Sequence, residues 1–147
     1  MRKALAGAAV VWVAAILLAP GAIASSHRAL SLGAGCVYAA GAFICHQRPD
    51  RSFFLFGRQL PVCARCTGLY AGAALAAPLA LLLTSAALSR ARMLLLVAAL
   101  PTAATWIAEY AVLAHVSNAP RFIAALPLGF TAAWLVLGEM RGARREA

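Results

Sequence analysis

Residues 66–89 read CTGLYAGAALAAPLALLLTSAALS, twenty-four consecutive positions without a charged side chain. At about 1.5 Å of rise per residue, a helix of that length crosses the roughly 30 Å hydrocarbon core of a bilayer. Gly68 and Gly72 lie four apart, so they share a helix face on which a neighbouring backbone can approach closely. Similar runs flank this one. Ala4 to Ser26 follows Met1-Arg2-Lys3. Met93 to His115 is apolar but interrupted by Glu109. Phe122 to Gly138 precedes a basic tail with Arg141, Arg144 and Arg145. A fifth stretch, Ala29 to Cys45, is rich in Gly and Ala and barely long enough to span, so it reads as a full helix or as an interfacial or half-inserted one. Pro78, Pro101 and Pro127 fall inside the last three long runs, where a bundle tolerates them if neighbours satisfy the freed carbonyls.

Composition agrees. Of the 147 residues 64% are hydrophobic and 12% are charged, about half the usual charged share of a soluble domain. The mean hydropathy of +0.85 excludes a disordered chain. Thirteen basic against four acidic residues give a net charge of +9. The basic residues sit in short clusters between apolar runs, the pattern of loops flanking membrane spans, which argues for the lipid bilayer as partner and against nucleic acid. These features predict an all-α integral membrane protein of the cell membrane, crossing it several times. It is a small bundle of four main transmembrane helices, plus a short or half-inserted helix before Cys45. The segments are an N-terminal transmembrane helix over 1–28, a membrane domain carrying cysteine and histidine over 29–138, and a basic tail over 139–147.

Two ambiguities stand. The first run also resembles a secretory signal, with Ala22-Ile23-Ala24 as a small-residue cleavage site, but its length and Pro20-Gly21 near its end favour a retained helix. Orientation is undecided by charge, since either topology splits the loop arginines and Lys3 seven against six. Four crossings fit the shortness of the Ala29–Cys45 run and place both termini on one side. Trp12, Trp106 and Trp134 fall within runs and read as packing or lipid-facing residues.

The chemistry lies in Cys45-His46-Gln47-Arg48-Pro49-Asp50-Arg51-Ser52 and Pro61-Val62-Cys63-Ala64-Arg65-Cys66-Thr67-Gly68, which hold three of the four cysteines at the two ends of one arginine-rich loop. Cys63 and Cys66 form a C-x-x-C pair in the predicted first turn of a helix, where free N–H groups and the helix dipole favour thiolate. Thr67 in place of His excludes a haem-attachment motif. Cys45 and His46 complete a tetrahedral zinc-type set of three thiolates and an imidazole, provided the backbone turns there. Asp50 is a substitute ligand. Cys36, nine helical steps of about 100° from Cys45, lies on the opposite face and reads as a buried small residue. Redox-active thiols and a plain structural disulfide are the alternatives. Arg48, Arg51, Arg58 and Arg65 gather either an anionic ligand or lipid headgroups, with Phe53, Phe54 and Phe56 beside them at headgroup level. Glu109 is an intramembrane acid that must face the bundle interior, a partner or water, with Thr105 one turn earlier able to bond it.

At Cys45-His46-Gln47, Arg51-Ser52-Phe53, Gly57, Pro61, Cys63, Arg65-Cys66-Thr67-Gly68 and Gly72 the chain resembles a prokaryotic membrane family, domain of unknown function 2085. The likeness continues more loosely through Pro101, Ser117-Asn118, Arg121 and Gly129, and covers about Ala29 to Gly138. It implies a small polytopic membrane protein with a Cys/His-rich loop and no established activity. Where the family often has Asp-Gly after the proline matching Pro101, this chain has Thr105-Trp106, and Glu109 is the acid one turn on.

Three functions follow as expectations. One is a module whose Cys45, His46, Cys63 and Cys66 bind a metal ion, Zn²⁺ by donor type, and staple the loop to the bundle. Another is a membrane thiol–disulfide oxidoreductase using Cys63 and Cys66, with Cys45 as partner and a quinone as electron acceptor. The third is a small transporter subunit with Glu109 as coupling acid, which would need a homo-oligomer to build a pathway.

Overall fold

A computed structural model describes residues 1–82, 90–112 and 115–142. The end of the third apolar run (83–89), residues 113–114 of the fourth, and Arg144 and Arg145 of the basic tail lie outside the described residues. The order is α1 (Arg2–Ala22), α2 (Arg28–Ile44), a short 3-10 turn (Pro49–Arg51), a small hairpin of β1 (Phe54–Leu55) and β2 (Arg58–Gln59), then α3 (Ala64–Leu82), α4 (Ala91–Tyr110) and α5 (Asn118–Gly142). Among the described residues α1, α3, α4 and α5 are long and apolar enough to cross a membrane, and α2 is shorter. Pro20, Pro78, Pro101 and Pro127 all sit within continuous helices.

α3 and α5 form the centre. A Cβ on Gly68 would meet the Phe122 carbonyl, and one on Gly72 would meet the Leu126 carbonyl, while Gly129 of α5 faces the Leu69 carbonyl in return. Further along, Ala77 and Ala80 of α3 share a buried cluster with Leu137 of α5. Both residue series rise together, so α3 and α5 run parallel, backbone against backbone, as small-residue faces permit where lipid supplies no hydrophobic drive between helices. The Gly68/Gly72 face expected from sequence is therefore used, and its partner is α5.

α1 runs antiparallel to α3. Its Ala6 belongs to the cluster of Ala77, Ala80 and Leu137, and its Ile16 to a second cluster with Leu60 and Val62, just ahead of α3. The Arg2 guanidinium donates to the Ala80 carbonyl at the first of these ends. α4 lies on the other flank, where the Thr102 hydroxyl donates to the Ala124 carbonyl at 2.8 Å. Most of its apolar side chains, Leu96 and Leu100 among them, face outward, as lipid contact demands. α2 begins five residues beyond α1. Near its other end the Tyr38 hydroxyl donates to the Gln59 carbonyl, and Gly41 abuts the Pro61 carbonyl. Both ends of α2 thus belong to the end of the bundle where α1 stops and α3 starts, so α2 does not traverse it. This is the short helix expected before Cys45.

The tryptophans match their expected roles. Trp12 meets Tyr70 edge to face and Trp134 stacks on Phe130, while Trp106 is half exposed and stacks on Tyr110. Cys36 corrects the sequence reading, because it is exposed rather than buried. α2 covers only part of its surface against α1 and the loop, so among the described residues its outer face has no neighbouring element.

Candidate metal centre and arginine cluster

The loop from 45 to 63 folds through three local devices. Cys45 leaves α2 in extended conformation (φ −147°, ψ 142°). Gln47 takes a left-handed φ of 46°, which turns the chain sharply just after His46. Phe56 (φ 53°) and Gly57 (φ 71°) then make the two-residue hairpin turn with both central residues left-handed, the type whose twist suits paired strands. Polar side chains brace the loop around the buried Leu60 and Val62. The Gln47 amide donates to the Tyr38 carbonyl at 2.9 Å and to the Pro61 carbonyl at 2.7 Å. The Gln59 amide donates to the Gln47 carbonyl at 2.6 Å and to the Ser52 hydroxyl at 3.1 Å. The Ser52 hydroxyl, itself buried, donates to the Arg48 carbonyl at 2.8 Å. Phe53 turns inward against Phe122, whereas Phe54 and Phe56 stay exposed.

This scaffold brings the sulfurs of Cys45, Cys63 and Cys66 together, all within 4.8 Å of one another, with Cys63 buried and the others partly so. Cys45, Cys66 and Tyr70 pack against the buried cluster of Ile16, Leu60 and Val62. The Cys63 N–H donates to the Cys45 sulfur at 3.2 Å, across eighteen residues of sequence. The Cys66 thiol, donating to the Cys63 sulfur, pulls the Cys63 thiol down from its ordinary value to about 5 against the opposing effect of burial. The Cys66 N–H, Cys45 and the nearby His46 add to the pull.

His46 is not part of the three-sulfur group. It is exposed, and its Nδ1 accepts from the Arg48 N–H at 3.3 Å. Asp50, the substitute ligand, is likewise elsewhere, paired with Arg48 at 3.2 Å and with Arg51 at 3.8 Å. The sequence offered His46 as the fourth ligand by donor type and Asp50 as a replacement, but both side chains are exposed where the chain turns at Gln47.

The four loop arginines do not gather as a group, which corrects the sequence expectation. Arg48 bonds Asp50 on the surface, and Arg58 lies on β2, lining a cavity of about 350 Å³ with Ile23, Tyr38 and Gln59. Arg51 and Arg65 instead converge on Glu109, joined by Arg121. The Arg121 Nε lies 2.5 Å from Glu109 Oε1, while Arg65 Nη2 at 3.3 Å and Arg51 Nη1 at 4.0 Å reach Oε2. Glu109 and Arg121 side chains are only 8% and 6% exposed. Arg121 Nη1 also donates to the Asn118 Oδ1 at 2.8 Å and the Asp50 carbonyl at 3.3 Å, and the Asn118 amide donates to the Ser52 carbonyl at 2.9 Å. Thr105 accepts from Arg65 at 3.4 Å rather than bonding Glu109. The loop is thereby tied to α4 and α5. Sequence reading had the carboxylate but not Arg121 as its nearest partner. The available signal was that Arg121 and Glu109 are charged at the facing ends of two consecutive apolar helices. Nothing in the sequence marked Gln59.

A small helical membrane bundle with a thiol cluster at one end is the class these features define. The chain belongs to the family described as a predicted membrane protein, DUF2085, whose pattern matches residues 45–135, more than half of its length. Two curated relatives are similar over short segments. An uncharacterized protein of Methanocaldococcus jannaschii is 60% identical over 37 residues, 25% of this chain and 24% of the relative. An uncharacterized protein of Methanothermobacter thermautotrophicus is 55% identical over 31 residues, 21% of this chain and 28% of the relative. The chain thus spans about a quarter of the length of each. No solved structure matches it.

Proposed function

We propose that this chain is a multi-pass protein of the cell membrane in which Cys45, Cys63 and Cys66 hold a metal ion that staples the loop to the bundle. The observation that carries this reading is the approach of three sulfurs, from segments eighteen residues apart, to within 4.8 Å of one another. In a tetrahedral zinc–thiolate set the metal–sulfur bonds are about 2.3 Å, so the sulfurs stand about 3.8 Å apart. A metal therefore needs the cluster to contract by only about 1 Å at most. A disulfide would use two sulfurs at about 2.05 Å and leave the third surplus. Thiolates are soft donors and suit Zn²⁺. The Cys63 N–H aimed at the Cys45 sulfur fixes the direction of that sulfur. A water molecule takes the fourth position.

Elemental analysis of detergent-purified protein tests this. One equivalent of metal per chain, lost in a Cys63→Ser/Cys66→Ser double variant that keeps its helicity, is the expected result. Metal-free wild type with normal folding refutes it.

The acidic Cys63 thiol supports a second reading, thiol–disulfide exchange, in which a disulfide in the cluster takes two electrons from a partner's dithiol and passes them to a membrane quinone. A mixed disulfide trapped on Cys63 in Cys66→Ser would favour it, and cysteines that stay reduced in cells would eliminate it. Transport with Glu109 as coupling acid has no comparable support, because three guanidiniums surround that carboxylate. Unchanged solute flux in Glu109→Gln removes it.

A further inference from the structure

We propose that Arg51, Arg65 and Arg121, gathered on Glu109 beside the thiol cluster, form a binding site for a phosphate group. The inference stands apart from the metal reading and uses none of its ligands.

Charge arithmetic motivates it. One carboxylate faces three guanidiniums. Including the adjoining surface pair, Arg48, Arg51, Arg65 and Arg121 face Asp50 and Glu109, an excess of two positive charges. Arg121 is buried and Arg65 is only 17% exposed, so this excess sits where water screens it poorly. Donors are also in excess. The Arg65 Nε is buried without a hydrogen-bond partner, the kind of vacancy an acceptor normally fills, and the Arg51 Nε meets only the Asp50 carboxylate, at 3.8 Å and beyond hydrogen-bond reach. The thiolates do not supply that acceptor, since among the described residues no arginine bonds a sulfur, and the guanidiniums point to Glu109 instead. The N-termini of α3 and α5 add positive potential, since Arg65 is the second residue of one and Arg121 the fourth of the other.

A phosphate fits this excess. It carries one charge as a diester and nearly two as the free ion, with several oxygens matched to the forked donors of arginine. Exposed Phe54 and Phe56 on the same loop place the cluster near the membrane surface. A lipid phosphodiester and free inorganic phosphate share the required chemistry. Glu109 acts as the internal counter-ion that holds the arginines together and competes with the ligand.

Thermal unfolding of the full chain in neutral detergent separates the sources. One arm adds inorganic phosphate at constant ionic strength against chloride. The other adds phosphatidylglycerol against a phosphate-free galactolipid. A saturable rise in unfolding temperature in either arm is expected, and the arm that responds names the source. Arg51→Gln, which removes the loosest of the three partners, should weaken the responding probe about tenfold, the worth of one charge-assisted bond. Chelator should leave the response unchanged, which keeps a failure here distinct from a failure of the metal reading. Glu109→Gln should be less stable alone and bind phosphate more tightly than wild type; if it does not fold, Arg51→Gln decides. No response in either arm, or full response in Arg51→Gln, overturns the proposal.

Discussion

Replacing Gln47 by alanine should weaken metal binding although Gln47 touches no ligand atom. One amide nitrogen spans two carbonyls, Tyr38 on α2 at 2.9 Å and Pro61 ahead of the C-x-x-C pair at 2.7 Å. It thus joins the segment that presents Cys45 to the segment that presents Cys63. Gly41 packs so closely on the Pro61 carbonyl and the Gln47 amide that no side chain fits between. Each hydrogen bond contributes about 1 kcal/mol net, so losing both costs about 2 kcal/mol of loop order. A metal binding the loosened loop must restore that order, and about 2 kcal/mol corresponds to about 30-fold in affinity. Gln47→Glu should be worse, because a carboxylate would face two carbonyl oxygens with no proton to donate. The assay is competition between Co²⁺ and a chromophoric chelator, followed by thiolate-to-cobalt absorption, with helicity by circular dichroism as the control for folding. Wild-type affinity in Gln47→Ala, with helicity intact, would show that the two segments are positioned by something else and refute the argument.

Three further outcomes are expected. Gly72→Val should force α5 away from α3, because its side chain would run into the Leu126 carbonyl and the Phe130 amide; overpacking of this kind costs about 1–3 kcal/mol, read as earlier unfolding in a denaturing-detergent titration. Alkylation of Cys63 in chelator-stripped protein should follow a thiolate that is present above about pH 5 and lost as pH falls through that value; a midpoint near about 8.5, the ordinary thiol value, would contradict the cluster's electrostatics. Single cysteines introduced at Ser25 and Ser117 in a cysteine-free background should react with an impermeant thiol reagent from the same side of the membrane, and one at Lys3 from the other, because α2 does not traverse the bundle; Ser25 and Ser117 labelling from opposite sides would mean that it does.

Particular residues show what could be read in advance. The long apolar runs announced α1, α3, α4 and α5, because a bilayer accepts helices and disfavours charge, and that condition is written locally. The shortness of Ala29–Cys45 announced α2. Cys45, Cys63 and Cys66 were recognisable because sulfur is a chemical label that survives without coordinates. His46 and Asp50 could not be sorted from them, since their placement depends on the left-handed turn at Gln47. Arg121 was legible as a basic residue but not as the nearest partner of Glu109, a pairing made by the ends of α4 and α5 meeting.

Sequence alone therefore settled the solvent of each segment and the identity of the reactive groups, since hydropathy and side-chain chemistry are properties of single residues and short windows. Tertiary structure decided which reactive groups meet: three sulfurs with no imidazole among them, and two of the four loop arginines with a third from α5. Those meetings depend on the direction of side chains across turns and on which glycine faces let helices approach. Both are relations between distant positions, and a linear pattern does not carry them.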